Sequence, residues 1–156
     1  KERYSHDIIS RNKEFAINLT NKNLAFATDW CGVKSGAKVD KFKEMHLTKE
    51  KAKFVKCPLI KESPVSIECK VTEIKEMGSH DMFIAEILSI DADEKYIDDK
   101  GAFDITKCDL ITYANGKYFT LGKQVGKFGY SVQKKKRKWR KYARIVDIFR
   151  KTWYDI

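Results

Sequence analysis

No long apolar run occurs in this sequence. Its apolar stretches are short and broken by charges, which excludes a bilayer-spanning helix of roughly 20 apolar residues. The N-terminus also lacks the apolar core of a secretory signal, so a cytoplasmic protein is expected. Cysteine is sparse and unpatterned. Cys31, Cys57, Cys69 and Cys108 fall at no metal-binding spacing such as C-x-x-C. Without a secretory signal, free and mostly buried thiols are expected rather than two disulfides. The three histidines, His6, His46 and His80, are equally scattered, and no metal site is expected. G-x-x-x-x-G-K-[ST] and G-x-G-x-x-G are both absent, which removes a P-loop and a Rossmann fingerprint. Neither a nucleophile elbow nor a Ser-His-Asp order can be assigned. An initiating methionine is missing too. Lys1-Glu2-Arg3-Tyr4-Ser5 reads as sequence from within a domain, so a fragment or an unobserved start is expected.

What is present suits one globular domain. The chain has 156 residues, 42% hydrophobic and 12% aromatic, enough to bury a core. The net charge of +10 invites a nucleic-acid reading, but the charge is unevenly placed. Residues 134–156 hold ten basic and two acidic side chains, a net +8, and the rest of the chain carries 22 basic and 20 acidic groups. The body is nearly neutral. The composition shift sets a boundary near Gln133, with a domain over 1–132 and a basic extension over 133–156. Within the extension, Trp139, Tyr142, Ala143, Val146, Phe149 and Trp153 recur at helical spacing. A basic amphipathic helix is expected there. It packs on the domain or a partner subunit, or it meets anionic membrane or nucleic acid.

Along the body, Tyr4 to Asn12 reads as a short helix with Ile8 and Ile9 on its apolar side. Phe15 to Leu19 reads as a strand. Asn23 is placed to cap a helix running through Leu24, Phe26, Ala27 and Trp30. Gly32 and Ser35-Gly36 break it, and Asp40 to Met45 makes one or two helical turns. A mostly irregular stretch reaches Ser63. Val65, Ile67, Cys69 and Val71 then alternate with Ser66, Glu68, Lys70 and Thr72, the period of a half-buried strand. Gly78-Ser79 marks a turn into Met82–Ile90, giving a hairpin of long strands. Asn115-Gly116 joins a second, shorter hairpin. Many strands and few helices make the fold class mainly β, a barrel or sandwich.

Two segments have the makings of an anion site. The loop Cys31 to Lys38 offers glycine amides, the Ser35 hydroxyl and two lysines, Lys34 and Lys38. The same composition also suits a solvated loop. Arg3, Tyr4 and Ser5 precede a helix, where they fit a phosphate or supply Ser5 as an ordinary N-cap. His80, beside Asp81, is the one candidate for proton transfer; a turn histidine without a role is the plainer alternative. His6 and His46 have no partner evident from sequence.

Five segments, in order, resemble the flavin reductase-like family. Arg3-Tyr4-Ser5-His6-Asp7-Ile8-Ile9 resembles the stretch after an early barrel strand. Phe15-Ala16-Ile17-Asn18-Leu19 resembles F-x-[IV]-N-[LV]. Ser35 to Phe42 resembles S-G-x-x-x-D-K-F. Pro64 to Val71, with Glu68-Cys69-Lys70, resembles the L-E-C-K strand, and Gly78 to Glu86 resembles G-x-H-x-x-[FY]-[IV]-[GA]-E. The resemblance covers about residues 1–132 and looks most like the flavoredoxin subgroup. It implies a six-stranded split β-barrel, here lacking its first strands, that forms a homodimer and binds FMN near the interface. By position it implies cofactor contacts from Arg3, Tyr4, Ser5, Asn18, Lys34, Ser35, Gly36 and Tyr118, with His80 near the reactive face. The implied activity passes electrons from NADH, NADPH or a redox partner protein through FMN to an acceptor. The alternative is a non-catalytic flavin-fold remnant whose basic tail makes the interactions.

Overall fold

The structure, a computed structural model, describes residues 1–133. The expected basic helix over 134–156 lies outside the described residues. Lys1–Leu121 form one compact unit and a second begins at Gly122. Of the second, the described part is irregular to Lys127 and turns from Phe128, with the Tyr130 amide donating to the Lys127 carbonyl at 2.9 Å. No helix among the described residues is long and apolar enough to cross a membrane.

The first unit is mainly β with short helices. Helix α1 (Tyr4–Asn12) leads into strand β1 (Glu14–Asn18) through Lys13, which adopts a left-handed conformation. A single 3-10 turn (Lys22–Leu24) precedes α2 (Ala25–Val33), and α3 (Lys41–Glu44) follows after a loop. Two-residue strands β2 (Lys49–Glu50) and β3 (Leu59–Ile60) pair with each other. The long strands β4 (Val65–Met77) and β5 (His80–Ala92) form the main hairpin, and β6 (Ile111–Ala114) with β7 (Lys117–Thr120) form the last. The large sheet is antiparallel in the order β1-β4-β5.

Local chemistry explains most of these boundaries. Asp40 caps α3, its carboxylate accepting from the Phe42 and Lys43 amides. Asn115 and Gly116 both take positive φ at the β6–β7 turn, as a type I′ hairpin requires. The helix around Leu24 starts differently from the expectation. Asn21, not Asn23, is the cap, its side chain accepting from the Leu24 amide at 3.1 Å. Asn23 sits one residue past the start of the 3-10 turn, where its side chain cannot serve that end. Gly32 lies inside α2, which runs on to Val33.

Strand β4 departs further from its expected pattern. Period two predicts that Ser66 and Glu68 face solvent. Both are buried, and Glu68 is 0% exposed. The segment between β2 and β3 lies over this face of the sheet and brings Ala52, Val55 and Leu59 into a core with Ala16, Cys57 and Leu88. That segment has little regular structure, so its amides need acceptors. Glu68 supplies them. Its carboxylate accepts from the amides of Lys53 (2.9 Å), Phe54 (2.6 Å) and Val55 (2.9 Å). Two irregularities also interrupt the pairing of β4 with β5: Glu68 pairs with Ser89 but Cys69 with Ile87, and Val71 pairs with Ala85 but Glu73 with Ile84. Leu88 and Thr72 are therefore extra residues, and such bulges increase twist and re-aim side chains.

Burial pushes the Glu68 carboxyl up, but the three amides outweigh it and hold the group below its ordinary 4.5. A carboxyl depressed on folding stabilises the protein fully above its unfolded value, and that contribution is lost as pH falls through the folded value. Replacement Glu68→Gln keeps the shape but puts an amide NH2 where an acceptor is needed. It is expected to cost about 2–4 kcal/mol, read from urea unfolding at neutral pH. The difference from wild type should shrink on acidification below pH 4.5.

Candidate functional site

The end of α2, the loop after it and the start of α1 enclose an open cleft of about 570 Å³. Glu2, Arg3, Tyr4, Ser5 and Ile8 line one side. Cys31, Gly32, Val33, Lys34, Ser35 and Gly36 line the other, and Lys41 of α3 closes the set. Both segments singled out in the sequence as anion-binding thus meet in one place, although about thirty positions separate them.

The start of α1 is suited to an anion. Arg3 is its N-cap, in an extended conformation, and makes no side-chain capping bond. Ser5 lies inside the first turn, so its expected role as an ordinary N-cap does not hold. The first amides of a helix have no partner within the helix and carry partial positive charge. Arg3, Lys34 and Lys41 add three cations against the single carboxylate of Glu2.

The opposite wall is shaped by close packing. A Cβ placed on Gly36 would lie 3.4 Å from Cδ1 of Tyr4 and 3.8 Å from Cε of Lys41, so the absence of a side chain lets the tyrosine ring approach the loop. The Ser35 hydroxyl accepts from the Ala37 amide at 3.3 Å, folding the loop back on itself. Lys41 donates from Nζ to the Cys31 carbonyl at 2.6 Å, tying α3 to the end of α2. Lys41 was not among the residues singled out from sequence. The S-G-x-x-x-D-K-F segment contains it, and that was the available signal.

Three expected site residues stand elsewhere. Asn18 bridges strands: its Oδ1 accepts from the Ile60 amide and from the Ser66 hydroxyl, both at 2.9 Å. Tyr118 donates to Asp29 at 3.2 Å, docking β7 on α2; partial burial and the Asp29 carboxylate push its phenol up. His80 is exposed at the hairpin turn and hydrogen-bonds with Ser79 at 2.9 Å. None of these three lines the cleft. His6, which has no evident partner in sequence, has one in space. Its Nε2 donates to Asp81 at 2.8 Å, across 75 positions.

The four cysteines are free. Among the described residues no cluster of His, Cys, Asp or Glu has a geometry suited to a metal ion. Cys31 lies half-buried in the cleft wall. Burial pushes its thiol up, and Lys41 offsets only part of that rise.

Comparison with known proteins gives a consistent result. The profile of the "Flavin reductase like domain" matches residues 1–122. Flavoredoxin of Desulfovibrio vulgaris (Miyazaki F) is 29% identical and superposes with a TM-score of 0.77, over 85% of this chain and 72% of that one. Flavoredoxin from Methanosarcina acetivorans is 32% identical with a TM-score of 0.73, over the same shares. A protein of Archaeoglobus fulgidus is 34% identical over 118 residues, 76% of this chain and 66% of its own length. The chain spans between half and two thirds of the length of three curated relatives that it matches.

The raised Cys31 thiol yields a direct expectation. Only the thiolate reacts with iodoacetamide, so Cys31 stays slow at neutral pH and accelerates only above its ordinary value of 9.0. Peptide mapping by mass spectrometry checks this. Rapid labelling of Cys31 at pH 7 would contradict it.

Proposed function

The chain belongs to the flavin reductase-like domain family, whose fold is the split β-barrel, and from that premise we propose that it binds FMN and acts as an oxidoreductase of the flavin reductase or flavoredoxin type. One observation carries the reading. Arg3, Tyr4, Ser5, Lys34, Ser35 and Gly36, six of the nine residues that the family resemblance implies for the site, line a single cleft. The chemistry of that cleft suits a phosphorylated flavin. The uncapped start of α1, with Arg3 and Ser5, receives the phosphate. Lys34 and Lys41 add positive charge on the opposite side, and Lys41 also fixes the loop through the Cys31 carbonyl. The Tyr4 ring against Gly36 supplies an apolar surface.

Flavin, once bound, supplies the hydride and electron chemistry itself. The residues of this chain bind and orient it, and their cations favour added negative charge. No side-chain acid or base is needed for that chemistry. His80 stands outside the cleft wall and has no necessary part in binding.

Electrons arrive from NADH, NADPH or a reduced protein and leave to an acceptor. The working state in this reading is a homodimer. Ile87 and Ile90 on β5 are 56% and 61% exposed, apolar surface of the kind a partner subunit covers.

Purified protein reconstituted with FMN is expected to be yellow and to bleach with NADH, NADPH or a reduced carrier protein. A colourless protein that ignores added FMN would sink the proposal. Arg3→Ala and Ser5→Ala should each weaken FMN by roughly tenfold, the worth of one hydrogen bond to a charged group. Fluorescence titration measures this, with unfolding midpoints near wild type as the control.

A further inference from the structure

We propose that Asp81 is a positioning residue for the anion-binding end of the cleft, gripping the chain on both sides of Arg3-Tyr4-Ser5. Asp81 is the second residue of β5, and its side chain is only 6% exposed. Oδ1 lies 3.0 Å from Nζ of Lys1, an ion pair that leaves this buried oxygen without a hydrogen-bond donor, and Oδ2 accepts from Nε2 of His6 at 2.8 Å. Lys1 and His6 bracket the three cleft residues, so one carboxylate fixes both ends of that short segment. The other charged groups there are Glu76, 3.6 Å from Lys1, and Asp7, 3.3 Å from Nδ1 of His6. Both are largely exposed, and neither reaches both ends of the segment. The edge of the His6 ring also meets Phe83 of β5, with centroids 5.6 Å apart.

The need for such an anchor follows from what α1 lacks. None of its residues is fully buried, and its N-cap makes no side-chain bond. Its C-terminal end is held by backbone, because the Val71 amide donates to the Lys13 carbonyl at 2.8 Å. Its N-terminal end is held by Asp81. A nearly buried carboxylate is stable only when well paired, so Asp81 and the Lys1–His6 segment fix each other. Burial pushes the Asp81 carboxyl up, and His6 and Lys1 more than reverse this. The long hairpin thus sets where the Arg3-Tyr4-Ser5 side of the cleft stands.

The proposal rests on the flavin reading for its ligand, but not for its geometry. Three variants test it: Asp81→Asn, His6→Leu and Lys1→Met. The latter two disconnect the anchor without altering the hairpin. Riboflavin lacks the phosphate of FMN, so loss of positioning should fall on FMN alone. Asp81→Asn is expected to lower the FMN preference over riboflavin by roughly tenfold. The hydrogen-bonded amides of α1, from His6 on the Arg3 carbonyl onward, should exchange hydrogen faster, while those of β4 and β5 keep wild-type protection. Unchanged exchange in α1 for all three variants would overturn the proposal. So would faster exchange throughout Lys1–Leu121, which would make Asp81 a stability residue. A wild-type protein that binds neither flavin would defeat the flavin reading alone. The exchange measurement would still decide whether Asp81 anchors α1.

Discussion

The buried carboxylate of Glu68 is the constraint on which the rest of this unit depends. A segment with little regular structure can cover a sheet only if its amides find acceptors. Glu68 gathers the amides of Lys53, Phe54 and Val55 onto one charged group, and this lets Ala52, Val55 and Leu59 pack as a core. Asn18 repeats the solution on a smaller scale, and Ser63 supplies the converse, a donor for carbonyls. Asn18 accepts from the Ile60 amide and the Ser66 hydroxyl. The Ser63 hydroxyl meets the carbonyls of Leu19 and Val65, both at 2.8 Å. Polar side chains stitch the β1–β4 side of the sheet to the loop above it.

The cleft is made from a different economy. Its walls are short helices with few buried residues, held by individual polar contacts: Lys41 on the Cys31 carbonyl, Asp81 on Lys1 and His6, Tyr118 on Asp29. Such contacts are directional and locate backbone amides and cations accurately. They contribute less cohesion than a core does. A binding site needs accurate placement of its groups, and directional contacts of this kind supply it.

Much of the fold was legible in the sequence because local rules governed it. Tyr4–Asn12 is helical as its pattern predicts, Asp40 caps a short helix, and Asn115-Gly116 turns a hairpin. What was not legible depends on contacts between distant positions. Period two places Glu68 in solvent. Only the loop folded over it, fifteen positions earlier, makes it the most buried side chain of the strand. His6 looks solitary because its partner lies 75 positions away. The cleft was half legible. The resemblance named Arg3, Tyr4, Ser5 and the Lys34-Ser35-Gly36 loop, and space brings them together. The same resemblance named Asn18, but space gives that side chain to the sheet. Lys41 went unnoticed because a lysine beside a helix cap reads as an ordinary solvated charge.

The two bulges of the main hairpin have a consequence for the molecule as a measuring device. A regular ribbon can slip by a residue pair with its alternation intact, but one with an extra residue on each strand at fixed places cannot. Leu88 and Thr72 therefore lock β4 and β5 into one alignment. Glu68 and Asp81, one on each strand, become graduations on a ruler. One marks where the covering loop attaches and the other where α1 attaches. Substitutions along the hairpin can alter its stability while these marks stay put. A single inserted residue between them would displace the graduations by one step, and loop and helix could no longer both be reached at once.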